Sequence, residues 1–86
     1  MASYRIEVKA SAEKELRALP KADLGRLIRK IQDLALHPRP ANSVKLKEAD
    51  LYRVRQGDWR VVYEVDDLKA QVTVVRIGHR REVYRK

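Results

Sequence analysis

The 86-residue chain contains 20 lysines and arginines against 12 aspartates and glutamates, which gives a formal net charge of +8. This length allows one small domain, residues 1–86, and the 44% of apolar residues is enough for a packed core. The absence of cysteine excludes disulfides, thiolate chemistry and cysteine-based zinc sites.

The N-terminal half predicts one strand followed by two helices. Residues 1–9 alternate apolar and charged side chains, as a strand with one buried face does. Ser11 is the predicted N-cap of a short helix that Pro20 ends. Residues 21–37 repeat apolar side chains at helical spacing, and Pro38 ends this second helix. We expect the two helices to form an antiparallel hairpin.

After residue 43 the apolar period changes to two. Residues 44–47 are compatible with a short extended piece, and strands are predicted at 51–56, 59–65 and 70–77. The predicted order is therefore β-α-α-β-β-β. This is an α+β fold in which a helical hairpin packs on one face of a small curled, mostly antiparallel sheet.

A two-residue loop at Gly57-Asp58 fixes the register of the second and third strands. It places Arg55 opposite Arg60 and, two residues further along each strand, Arg53 opposite Val62. Tyr52, Val54, Val61 and Tyr63 then form the opposite, apolar face. A loop around residues 67–68 would place Val65 opposite Ala70, Val61 opposite Val74 and Arg60 beside Val75.

Three arginines on one sheet face invite two interpretations. Like charges directly opposite each other cost about 0.2–1 kcal/mol, so a sheet selected for stability alone would alternate signs there. The arginines could extend into water and pair with Glu64 or Asp58. Alternatively they form a phosphate site, because guanidinium groups bind phosphate oxygens bidentately and stay charged at physiological pH.

The C-terminal stretch adds candidates to this face. The last strand should end at Gly78, beside the strand that bears Arg60, so His79, Arg80, Arg81 and Tyr84 are expected to surround the arginines. Tyr84 could stack on a base or cap the core edge, and a lone loop histidine is more often idle than catalytic. Trp59 is expected on the apolar side, opposite Arg76.

Three segments together resemble the RelE family of bacterial and archaeal toxins, within the RelE/ParE superfamily. These are Leu-Tyr-Arg-Val-Arg at 51–55, Trp-Arg-Val-Val-Tyr at 59–63 and Gly-His-Arg-Arg-Glu-Val-Tyr at 78–84, in this order. The likeness spans essentially the whole chain. It implies a ribosome-dependent endoribonuclease that cuts translated mRNA in the ribosomal A site without a metal or other cofactor.

The resemblance also implies partners and site residues. A cognate antitoxin with an acidic wrapping segment would neutralise the toxin, and operator DNA would be bound only through the antitoxin complex. The implied catalytic positions are Arg53, Arg55, Arg60, Arg80 and Tyr84, with His79 as a further candidate. Lys45, Lys47, Arg81 and Arg85 are expected to contact RNA or the ribosome. No apolar run approaches the ~18 residues of a membrane span, so we expect a cytoplasmic protein with no membrane partner.

The sequence does not identify the side chain that would act as the general base. Well-known members of the family carry lysines where this chain has Arg53 and Arg55, and arginine is a poor base because its pKa exceeds ~12. His79 and Glu64 are alternatives, and positioning on the ribosome could supply most of the rate. Two other functions are also open: a ParE-like inhibitor of DNA gyrase without nuclease activity, and a nucleic-acid-binding module without toxicity.

Overall fold

A computed structural model describes residues 3–47 and 50–79 of the chain. Two helices and five strands follow in the order β-α-α-β-β-β-β. The elements are β1 (Arg5–Val8), α1 (Ala10–Arg17), α2 (Lys21–Asp33), β2 (Val44–Lys45), β3 (Leu51–Gln56), β4 (Trp59–Asp66) and β5 (Gln71–His79). The predicted α+β layout with a helical hairpin is confirmed, and the short extended piece after residue 43 is strand β2.

The strands form one sheet in the spatial order β1-β5-β4-β3-β2. Strand β1 runs parallel to β5, with Ile6 opposite Val72 and Val8 opposite Val74. The other neighbouring pairs are antiparallel. Strand β1 therefore lies at the opposite edge of the sheet from β2, and the chain passes from one edge to the other through both helices. The parallel β1–β5 pair makes the sheet mixed.

Both helices differ from the sequence-based boundaries at one end. Lys9, not Ser11, is the N-cap of α1, because the helix begins directly after β1 and the Glu13 N–H already bonds the Lys9 carbonyl at 2.8 Å. Helix α2 ends at Asp33 rather than near residue 37. The next three N–H groups bond carbonyls three residues back, which is the tighter winding common at helix ends.

The core lies between the helices and one face of the sheet. Leu27 and Ile31 of α2, Leu34 directly after it, and Ala12 of α1 are at most 5% exposed. They belong to the same buried cluster as the alternate residues of β3, β4 and β5, which are Tyr52, Val54, Val61, Tyr63, Val65, Val72, Val74 and Ile77. Within the described residues, neither helix has the length and apolar character needed to cross a membrane.

Candidate functional site

The face of the sheet turned away from the helices bears the three predicted arginines. The register of β3 and β4 pairs Arg55 with Arg60 and Arg53 with Val62, as predicted. Gly57 has φ +62°, a left-handed conformation that a two-residue hairpin turn requires and that glycine adopts without strain. We call the surface formed by Arg53, Arg55 and Arg60 the arginine face.

The three arginines differ in exposure. Arg60 is only 6% exposed, whereas Arg55 is exposed and Arg53 is half-buried. Val62, on the same face as Arg60, is 8% exposed. Burial restricts the rotamers of the Arg60 side chain, while the exposed Arg55 can reach a ligand from solvent. The arrangement therefore combines one held guanidinium with two more accessible ones, which is suited to binding a phosphate group.

The register of β5 against β4 differs from the prediction by three residues near Arg60. The turn is longer than expected: it occupies residues 67–70, with Ala70 at φ 51°, so Val65 faces Val72 rather than Ala70. A β-bulge at Val75 then adds one more residue, since Val62 faces Arg76 while Tyr63 faces Val74. Arg60 consequently faces Gly78, not Val75.

The bulge also changes which face the end of β5 presents. An odd shift of register moves each later side chain to the opposite side of the sheet. His79 therefore shares the helix side with Trp59, which it contacts edge to face at 5.6 Å between ring centroids. The expectation that His79 joins the arginine face is wrong. Trp59 does lie on the apolar side, but its cross-strand partner is His79 rather than Arg76.

The other predicted site residues fall in three places. Lys45 pairs with Tyr52 on the helix side, where its Nζ lies 5.7 Å from the centre of the tyrosine ring. Lys47 is exposed just beyond β2. Glu64 is exposed on the arginine face but opposite Leu51, four residues along β4 from Arg60. Arg80, Arg81, Tyr84 and Arg85 lie outside the described residues.

A polar network that the sequence did not predict connects the segment after α2 to the β4–β5 turn. Arg39 binds the Asp67 carboxylate with two N–H groups, at 3.2 and 2.8 Å, and donates from Nε to the Tyr52 hydroxyl at 2.9 Å. The Tyr4 hydroxyl donates to Asp67 at 2.6 Å. These residues are distant in sequence, so no local sequence pattern indicates the contacts between them. The network thereby fixes Tyr52, the residue directly before Arg53 in β3.

The same network shifts the pKa values of Asp67 and Tyr4. The Arg39 guanidinium, together with the Tyr4 hydroxyl, holds the pKa of the Asp67 carboxyl below its ordinary value. The hydrogen bond to Asp67 raises the pKa of Tyr4, because ionising the phenol would remove the donated proton beside a carboxylate. Burial raises the pKa of Tyr63, whose hydroxyl donates to the Pro38 carbonyl at 2.7 Å. These tyrosines remain protonated around neutral pH.

Among residues 3–47 and 50–79 no cluster of three or more His, Asp or Glu side chains has the geometry of a metal site. The arginine face gathers three cationic guanidinium groups. Its chemistry is thus that of binding and stabilising negative charge on an oxyanion or phosphate.

Comparisons with known proteins identify the family to which this sequence and fold belong. Residues 6–84 match the family model described as the ParE toxin of the type II toxin-antitoxin system parDE. Toxin RelG of Mycobacterium tuberculosis is 27% identical over 85 residues, covering 96% of this chain and 98% of the relative.

Solved structures of RelE toxins have the same fold as this chain. RelE in the archaeal RelE–RelB complex from Pyrococcus horikoshii superposes with a TM-score of 0.84 at 31% identity, covering 91% of this chain and 96% of that one. The isolated RelE toxin of E. coli superposes with a TM-score of 0.79 at 29% identity, covering 90% and 84%. The chain belongs to the ParE toxin family of type II toxin-antitoxin systems, within the RelE/ParE superfamily.

Proposed function

We propose that this toxin is a ribosome-dependent endoribonuclease that cuts translated mRNA in the ribosomal A site and so stops translation. The observation that supports this function is the arginine face, where Arg55 lies directly opposite a buried Arg60 and Arg53 lies on the same side of β3. A toxin that acts only by binding a protein has no need for three guanidinium groups gathered at one point of a sheet.

The proposed reaction uses the RNA's own nucleophile. The 2′-oxygen attacks the adjacent phosphorus, the 2′-O–P bond forms, and the P–O5′ bond breaks. The products are a 2′,3′-cyclic phosphate and a 5′-hydroxyl, with one proton leaving the 2′-hydroxyl and one added to the 5′-oxygen. Negative charge grows on the phosphoryl oxygens during attack, and fixed cations stabilise it most where it develops.

Within this reaction the arginines have distinct tasks. Arg60 is buried and therefore preorganised, which suits stabilisation of the transition-state charge. Arg55 and Arg53 are accessible enough to bind and orient the flanking phosphates. Arg80 as a second charge-stabilising cation and Tyr84 as a stacking platform stay predictions on residues outside the described part of the chain. Lys45, Lys47, Arg81 and Arg85 stay predicted contacts to RNA or the ribosome.

Neither titratable candidate stands beside Arg60. His79 lies on the other side of the sheet, and Glu64 is four residues along the strand, roughly 13 Å from Arg60 by strand rise. We therefore assign most of the rate to positioning of the 2′-hydroxyl and to electrostatic stabilisation by the arginines, rather than to proton removal by either side chain.

An antitoxin is the proposed protein partner. RelE proteins similar to this chain are known in complex with RelB, from Pyrococcus horikoshii and from E. coli. The net charge of +8 favours an acidic partner segment. We propose that such a segment neutralises the toxin and that operator DNA is bound only by the complex. Because the antitoxin would bind the folded toxin only, adding it should raise the thermal midpoint.

Inhibition of DNA gyrase is the second candidate function. The matching family model is that of ParE toxins, and this observation favours it. The two functions differ in what accumulates inside an induced cell. If the toxin is expressed and mRNA 5′ ends are mapped, new ends within translated codons support ribosome-dependent cleavage. A DNA-damage response without such ends supports gyrase inhibition, and neither change would leave only a binding module.

A further inference from the structure

Among the residues that the structure describes, no strand lies on the outer side of the end of β5 beside Arg60. Strand β1 accompanies β5 only as far as the pair Val8–Val74. Residues 76–79 continue past this point, and they include Gly78, which faces Arg60. On the side that β1 has left, the backbone of this segment needs other hydrogen-bond partners, because buried N–H groups are nearly always paired.

A side chain of α1 takes the place of the missing strand. Oε1 of Glu15 accepts a hydrogen bond from the Ile77 N–H at 2.7 Å, and its Oε2 lies 3.7 Å from Nε of Arg76. Glu15 follows the fully buried Ala12 by three positions, so both lie on the helix face turned to the sheet. Ile77 is 2% exposed and the Glu15 side chain is 37% exposed, so the hydrogen bond lies at the edge of the core with its donor residue buried.

The contact lies one residue from the cross-strand partner of Arg60. In an antiparallel ladder, hydrogen-bonded and non-hydrogen-bonded pairs alternate. Since the Ile77 N–H turns toward α1, the Val61–Ile77 pair is of the non-hydrogen-bonded kind. The next pair, Arg60 with Gly78, is then the one that exchanges backbone hydrogen bonds. The backbone of Arg60 is thus held by a segment that Glu15 holds in turn.

We propose that Glu15 is a positioning residue of the arginine face: its carboxylate fixes the end of β5, and through the Gly78–Arg60 pair it fixes Arg60. This inference rests on the proposed nuclease function and extends it to a residue 45 positions away in sequence. The role of Glu15 is to accept one hydrogen bond, so its negative charge is not the essential property.

Three variants separate this role from a general loss of stability. Glu15→Ala removes the acceptor. Glu15→Gln keeps an oxygen that can accept from Ile77, and is expected to restore wild-type behaviour. Glu13→Ala is the matched control, since it removes the same side chain from the same helix but breaks only an exposed ion pair with Arg17.

Two measurements on the full chain test the proposal. Amide hydrogen exchange of residues 77–79 should be roughly tenfold faster in Glu15→Ala, and unchanged in Glu15→Gln and Glu13→Ala. In single-turnover cleavage of ribosome-bound mRNA, the maximal rate of Glu15→Ala should fall on the order of ten- to a hundredfold. The toxin concentration for half-maximal rate should be unchanged, because the accessible Arg53 and Arg55 still bind the RNA.

Three results would overturn the proposal. The first is unchanged exchange at residues 77–79 in folded Glu15→Ala, and the second is faster exchange accompanied by wild-type cleavage. The third is a Glu15→Gln protein as inactive as Glu15→Ala, since the charge would then matter more than the ability to accept a hydrogen bond. If wild-type toxin does not cut at all, the nuclease function fails, and exchange alone still reports whether Glu15 fixes β5.

Discussion

Replacing Arg55 by glutamine should make the protein more stable while making it less active. Arg55 and Arg60 form the pair next to the hydrogen-bonded pair that closes the hairpin at Gly57-Asp58. Theirs is therefore a non-hydrogen-bonded pair, in which opposing Cα atoms are only about 4.5 Å apart and side chains lie closest. Glutamine keeps most of the side-chain stem and removes the charge.

The size of the gain follows from this geometry. Like charges directly opposite on a sheet cost about 0.2–1 kcal/mol. For a domain of this length each kcal/mol shifts the midpoint by about 4–8 °C, so Arg55→Gln should raise it by about 1–8 °C. The gain should shrink as salt rises, because Arg55 is exposed and the Debye length is only about 10 Å at 0.1 M ionic strength.

The assay is thermal unfolding followed by circular dichroism at low and at high salt, together with cleavage of ribosome-bound mRNA. Arg29→Gln on α2 is the control, because it lowers the net charge equally at an exposed helical position whose neighbours on the helix surface carry both signs, Arg26 at i−3 and Asp33 at i+4. A midpoint for Arg55→Gln no higher than that of Arg29→Gln would show that placing Arg55 opposite Arg60 costs no stability.

Three further changes test other parts of the structure. Asp67→Asn should reduce the loss of stability at acid pH. The Asp67 carboxyl has a lowered pKa in the fold, so the stability that it contributes with Arg39 and Tyr4 is present above its unfolded pKa of ~3.9. This contribution is lost as pH falls through the folded pKa. Urea unfolding between about pH 2 and pH 6 measures this, and equal slopes in both proteins would contradict it. Gly25→Ala should raise the free energy of unfolding by about 0.5–1 kcal/mol, because this mid-helix glycine is exposed and a Cβ there meets nothing within 4 Å; an unchanged or lower value would show that the glycine has another role. His79→Ala should leave the cleavage rate and its profile between about pH 5.5 and 8 unchanged, and a titration that disappears with His79 would return this residue to the chemistry.

The hairpin of β3 and β4 was predictable because its register depends on local information. A glycine that can adopt positive φ stands at the loop, and alternation of apolar side chains then fixes which residues face the core. The arginine face followed from these two facts. Its grouping of Arg53, Arg55 and Arg60 was therefore available from the sequence.

The end of β5 was not predictable for the opposite reason. Its register depends on Ala70 adopting a left-handed conformation, which alanine rarely does, and on a bulge at Val75 within the segment Val-Thr-Val-Val at 72–75. Each adds residues that no sequence signal marks, and together they move His79 to the other side of the sheet. Contacts between distant segments, such as Arg39 with Asp67, likewise have no local signature.

The cleavage rate of Arg60→Ala tests most directly whether the arginine face cuts RNA on the ribosome. Purified protein, ribosomes programmed with a defined mRNA and a check of the fold by circular dichroism are sufficient. We expect wild-type toxin to cut within the A-site codon and folded Arg60→Ala to be slower by on the order of a hundred- to a thousandfold. Arg80→Ala should behave similarly. A folded Arg60→Ala protein that cuts at the wild-type rate would show that the arginine face does not catalyse the cleavage.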